Sequence, residues 1–215
     1  MQRSTTIILS LLSLLPISLA GCSRTAAPAV RASWSEQRAR AEDALKPLGS
    51  DFVLQSGLAE PVRSKQGAPD EPVELKVTLV YLSQKSSQAS AAGAPLYAAR
   101  IVHFNDHRLA TTLRVDDEFH RPEAPDALAL ERARLMRLGP QDVLQLTLKE
   151  GQAYMGKPVD GGNITIRLPR VSERPPELSA LAAWQVTFYR TSDEYLSIWV
   201  DAQTGALLTR SEKGK

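Results

Sequence analysis

The chain has 215 residues, 26 basic and 24 acidic side chains, a formal net charge of +2 and one cysteine. The near balance of charge excludes the concentrated basic surface that nucleic-acid binding needs. One cysteine excludes an intramolecular disulfide, so the fold must rest on a packed core, and the length allows one ordinary domain or two small ones.

Met1-Gln2-Arg3 makes a short basic start, and Ile7 to Ala20 is a mostly apolar run with a late Pro16. The run has the length of a signal-peptide core and falls short of the about 20 apolar residues that span a bilayer. It ends in Leu19-Ala20-Gly21-Cys22. These residues resemble the bacterial lipobox: an apolar residue, two small ones, then the cysteine that receives lipid. The resemblance implies cleavage between Gly21 and Cys22 and lipidation of Cys22. Residues 1–21 are then a lipoprotein signal peptide and 22–32 a lipidated tether. The alternative, an ordinary secretory signal, would leave Cys22 as a lone thiol, a liability in an oxidising compartment. Several acyl chains on one residue would anchor firmly, at about 0.8 kcal/mol per buried methylene. Ser23 follows the cysteine where aspartate would imply inner-membrane retention. By the same resemblance the address is the bacterial envelope, at the outer membrane facing the periplasm.

Past the tether, Ser33 and Glu36 form a capping box for a helix carrying Trp34, Arg38, Ala41, Leu45 and Leu48, closed by Pro47 and Gly49. Phe52-Val53-Leu54 reads as a short strand. Val73, Leu75, Val77, Leu79 and Tyr81 alternate with their neighbours and predict a half-buried strand. Ser83 to Pro95 is a low-complexity connection with nothing to bury. Leu96–Phe104 and Leu109–Asp116 are expected to form a hairpin around Asn105-Asp106-His107-Arg108. A helix is expected from Asp126 to about Leu138, and another from Pro140 to about Glu150. Asp160-Gly161-Gly162-Asn163 marks a turn, Ile164–Leu168 a strand and Pro169–Leu181 a long loop. Trp184–Tyr189 and Tyr195–Val200 then form a second hairpin, ended by the turn Asp201-Ala202-Gln203-Thr204-Gly205.

The two hairpins align at an offset of 85 residues, which sets Val115 on Val200, Phe104 on Tyr189 and Leu113 on Ile198. Each follows a helix, a strand and a long loop. The expected fold class is therefore α+β, with two similar helix-plus-antiparallel-sheet units over 33–120 and 121–215, a possible internal duplication. Chance similarity between any two antiparallel hairpins is the alternative.

Trp184-Gln185-Val186-Thr187-Phe188 and Leu196 to Leu208, with their Val-Asp-Ala-x-Thr-Gly ending, resemble the terminal hairpin of a PepSY-type module, beginning at about Gly139. The helix Pro140–Glu150 departs from that pattern in lacking its acidic pair and alanine. The resemblance implies a noncatalytic α+β unit that restrains a peptidase or binds a protein partner.

His103, His107 and His120 fall within eighteen residues, among Asp106, Asp116, Asp117 and Glu118. Imidazole with carboxylate suits zinc, yet the expected hairpin places Asp116 and His120 over about 20 Å from the turn at roughly 3.3 Å per residue. Only His103 and His107 could then share an ion, and two ligands make a poor site. No nucleophile motif or phosphate-cradling loop is present, so no catalytic residue and no cofactor are expected. Tyr195 and Trp199 point away from Leu196, Ile198 and Val200 on their strand. One face of this hairpin is expected on a helix and the other against the second half of the molecule. Otherwise Tyr195 and Trp199 are candidate contacts for a partner. The expected partners are the membrane, through lipid on Cys22, and a periplasmic protein. A structural role in envelope assembly and a hydrolase without a recognisable motif are the alternatives.

Overall fold

The computed structural model describes residues 32–49, 51–62, 74–90, 93–106, 113–157, 159 and 162–214. The expectations for the leader, for Gly21 and Cys22, for the tether up to residue 31, for His107 and for the Asp160-Gly161 turn lie outside the described residues.

Among the described residues the fold is α+β, three helices and one nine-stranded antiparallel sheet. The helices are α1 (Trp34–Leu45), α2 (Ala129–Leu135) and α3 (Pro140–Met155). The strands are β1 (Phe52–Pro61), β2 (Leu75–Ala89), β3 (Pro95–Asp106), β4 (Arg114–Val115), β5 (Phe119–Arg121), β6 (Ile164–Leu168), β7 (Ala183–Tyr189), β8 (Tyr195–Asp201) and β9 (Leu207–Lys213). The order across the sheet is β4-β3-β2-β1-β6-β7-β8-β9, with β5 also on β3. β1 and β6 lie at the centre, and each opens a meander running outward from it.

Local chemistry sets the helix ends. Ser33 Oγ accepts from the Glu36 amide at 3.3 Å, and the Glu36 carboxylate accepts from the Ser33 amide at 2.7 Å, which closes the expected capping box. Trp34, Gln37, Ala41 and Leu45 form the buried stripe of α1. At α3 the Gly139 amide donates to Asp142 at 2.8 Å, and Pro140 starts the helix without sacrificing a bond. This helix continues past Glu150 to Met155 and stops at Gly156, whose φ of 68° is left-handed.

The core lies between the sheet and the α1/α3 layer. Val186 pairs with Ile198, Phe188 with Leu196 and Trp184 with Val200. Cross-strand partners project to the same side, so all six side chains share one face, and all are buried. Trp34 meets Trp184 edge-on at 5.6 Å between centroids, and the Trp184 indole N–H donates to the Leu138 carbonyl at 2.9 Å.

Three expectations are corrected. β1 is a ten-residue central strand rather than a three-residue one. Ser83 to Ala89 is strand, because its backbone pairs with β3 (Ser86 with Tyr97, Gln88 with Leu96). The offset of 85 residues sets β3 on β7, whereas position in the sheet sets β3 opposite β8. The underestimated β1 had shifted the strand count by one. The second face of the β7–β8 hairpin packs within the second half, where Trp199 meets Leu178, Ala183 and Leu208. The two halves join edge to edge, where Gly57, Leu58 and Ala59 of β1 pair with Leu168, Arg167 and Ile166 of β6.

That junction is spliced by a charge. β6 ends at Leu168 while β1 continues back to Phe52, leaving carbonyls without a strand partner. Arg132, fully buried, donates to the carbonyls of Leu54 (2.9 Å), Gln55 (2.6 Å) and Pro169 (2.7 Å). Burial lowers this guanidinium to about 10, so it stays charged at neutral pH.

Candidate functional site

The helices cover one face of the sheet. On the other, Val53, Leu82 and Ala99 are buried at one end of β1–β3 and Ala183, Thr187, Ser197 and Trp199 on β7–β8, and the described residues leave the stretch between them uncovered. The register defines a row across it: Arg114, His103, Thr78, Leu58, Arg167, Gln185, Trp199 and Thr209, one residue from each of eight strands. Ser56, Val80 and Ile101 share the face on one side of this row, and Glu60, Lys76 and Asn105 on the other. Lys76, Glu60, Asn105, Arg114 and Arg167 are exposed, while Leu58, Val80, Ile101 and Thr78 are half-buried. The face is thus a central aliphatic strip bordered by charges of both signs.

Tyr195 and Trp199 occupy this uncovered face but differ in access. Trp199 is 7% exposed, packed with Leu178, Ala183 and Leu208. The Pro169–Leu181 loop brings Leu178 over it, so the chain itself already fills this contact. Tyr195 is half-buried. Its ring meets Tyr189 at 6.0 Å, and the Lys213 ammonium lies 5.8 Å from its centroid. Of the two candidates, Tyr195 is the one presented to solvent.

The histidines are arranged differently from the sequence expectation. β3 runs to Asp106, and β4 begins only at Arg114, with Val115 opposite Val102. With His103 opposite Arg114, Asp116 falls beside His103 rather than at the far end. Its carboxylate lies 2.9 Å from His103 Nε2, and Thr78 Oγ1 lies 3.1 Å from His103 Nδ1. Arg114 Nε stands 3.0 Å from the other Asp116 oxygen. The imidazole donates from Nε2 to Asp116, and its Nδ1 faces the Thr78 hydroxyl. The His103 hydrogen bond is the largest cause holding the Asp116 carboxyl below its ordinary value, and the His103 and Arg114 charges add to it. His120 Nε2 sits 3.5 Å from Glu118, which also pairs with Arg100 at 3.1 Å. Sequence reading missed Thr78 and Arg114 here, because cross-strand neighbours become visible only once the register is known.

A cavity of about 340 Å³ opens between Leu135, the segment Ser179–Ala182, Asp201 and Gln203. The Asp201 carboxylate there accepts from the amides of Gln203 (2.7 Å) and Thr204 (3.2 Å), and Gly205 follows with φ 78°. Asp201 thus builds the turn, as its sequence implies. Among the described residues no group of three or more His, Cys, Asp or Glu side chains could hold a metal, and no helix is long and apolar enough to cross a membrane.

No family model and no curated protein matches this sequence. Among solved structures, a "putative lipoprotein" from Clostridium difficile 630 is similar with a TM-score of 0.45 and 13% identity, over 85% of this chain and 94% of the other. A likeness of that degree assigns this chain neither a family nor a function.

Proposed function

We propose that this chain is a lipoprotein of the bacterial envelope, anchored through Cys22, that binds a protein partner on the uncovered face of its sheet without catalysis. The carrying observation is that face itself, with Leu58, Val80 and Ile101 flanked by Lys76, Glu60, Arg114 and Arg167. A partly apolar, charge-rimmed surface has the anatomy of a protein interface: a desolvated centre within a polar border. The lipobox at Leu19-Cys22 supports the anchor, and Ser23 favours the outer membrane. The PepSY-like hairpin ending supports a restrained peptidase, or a neutralised toxin, as the partner class. The palindromic strand order supports descent of the two units from one duplicated ancestor.

Anchor and face are tested separately. Cys22→Ser is expected to abolish incorporation of labelled fatty acid and release of the signal peptide, and retained labelling refutes the anchor. For the face, envelope protein captured by the lipidated chain is compared between wild type and Leu58→Asp, with Leu146→Asp on the exposed side of α3 as control. Loss of one captured protein in the first variant alone is the expected result. Equal capture by all three refutes the assignment of the face.

A further inference from the structure

The sheet has two unlike edges. On one side it ends in β4 and β5, two and three residues long, and short broken strands offer little backbone for pairing. On the other it ends in β9, seven residues with no proline and almost fully exposed. Among the described residues only β8 pairs with β9, which leaves its outer row of N–H and C=O groups open.

We propose that β9 pairs with the β9 of a second copy of this chain, antiparallel about a two-fold axis through Ser211, making one sheet across the dimer. Two conditions select that register. Antiparallel pairing of identical strands puts the axis normal to the sheet, so helix-side residues must face helix-side residues. Ile198 pairs with Arg210 and Leu196 with Glu212, which places Arg210 and Glu212 on the helix side. Arg210 also lies 3.6 Å from Glu150 of α3. Thr209, Ser211 and Lys213 take the other side. Pairings that preserve sides therefore centre on a residue, never between two.

Charge then chooses among them. Centring on Arg210 sets arginine against arginine, and centring on Glu212 sets glutamate against glutamate. Like charges directly opposite are destabilising. Centring on Ser211 sets Arg210 against Glu212 twice and Thr209 against Lys213 twice. Arg210 and Glu212 already form an ion pair within the strand, so the dimer closes a square of alternating charge. Both helix layers fall on one side, and the two uncovered faces become one. The pairing needs neither the lipid nor the partner proposed above.

Cysteine cross-linking tests it, with the full chain in detergent and Cys22→Ser as background so that an introduced thiol is the only one. Ser211→Cys sets two thiols on the axis, at a Cα separation of about 4.5–5.5 Å that a disulfide spans. Thr209→Cys sets them four residues apart in register, about 13 Å at 3.3 Å per residue, beyond reach. The expected result is a covalent dimer for Ser211→Cys and monomer for Thr209→Cys. Equal yields, or no dimer from Ser211→Cys, overturn the proposal. Added to Ser211→Cys, Arg210→Glu should lower the dimer yield at least fivefold, and the further change Glu212→Arg should restore it. The double variant keeps glutamate beside Glu150, so its recovery assigns the loss to the cross-strand pair, and failure to recover overturns the register.

Discussion

The Phe188 ring lies on Gly151 so closely that a Cβ at that glycine would stand 2.2 Å from Phe188 Cε1. This contact sets the spacing between α3 and β7. Phe188 is fully buried between Ile164 and Leu196, its cross-strand neighbours, and a ring held on both sides has no room to withdraw. Gly151→Ala, which in an exposed helix would gain helix propensity, is expected here to cost about 1–3 kcal/mol through overpacking. Denaturant unfolding should show a lower midpoint at unchanged slope. A midpoint at or above wild type would mean that the helix–sheet contact yields.

Arg132 is expected to be among the costliest single positions. Removing its side chain leaves the carbonyls of Leu54, Gln55 and Pro169 buried without donors, each at about 1–3 kcal/mol. Arg132→Leu should therefore lose about 3–5 kcal/mol or fail to accumulate as folded protein. Arg132→Lys should recover little, because one ammonium cannot reproduce a fork that reaches three acceptors on two segments. Thermal melts of the two variants check this. Lysine melting within two or three degrees of wild type would show that charge alone suffices.

The starts of α1 and α3 and the last hairpin were legible in the sequence because their determinants are local, whereas α2, expected from Asp126, begins at Ala129 without a side-chain cap. Ser33 and Glu36 are three residues apart, and Trp184, Val186 and Phe188 alternate without interruption. β1 was not legible beyond Leu54. A register shift between Leu54 and Ser56 and the missing side chain of Gly57 break its alternation. Ser83 to Ala89 escaped because its pairing with β3 runs through the backbone, which a low-complexity composition does not reveal. The His103–Asp116 contact depended on the register of β4 on β3, which the sequence does not state. Arg132 was not legible, since nothing in α2 announces that its acceptors come from β1 and the residue after β6.

The turn after β8 tests a local rule. Gly205 sits at φ 78°, and a Cβ there would lie 3.2 Å from Leu138 Cδ1 and from Leu146 Cδ1. Gly205→Ala thus meets both left-handed backbone strain and two close methyl groups. About 1–2 kcal/mol is expected for the backbone alone, read as a fall in melting temperature. Gly205→Asn, better tolerated in that conformation, should lose less. If alanine and asparagine prove equal, the methyl contacts and not the dihedral set the cost.

Asp116 predicts an acid-side stability slope with a definite sign. Its carboxyl is held below the ordinary value chiefly by the His103 hydrogen bond, aided by the His103 and Arg114 charges and opposed by partial burial. In the unfolded chain the group titrates near 3.9, to within about a unit. Below that value the unfolded state binds the proton while the folded state still resists it, so stability is lost as pH falls through the folded value. Above the unfolded value the contribution is complete and flat. Melting temperatures between pH 6 and pH 2.5 should consequently fall more steeply for wild type than for Asp116→Asn, with parallel curves above about pH 5. His103→Phe should flatten the acid limb in the same way, since it removes the largest cause. Should Asp116→Asn match wild type along the whole acid limb, the His103–Asp116 contact contributes nothing in solution, and Arg114 would be the place to look for what holds β4 on β3.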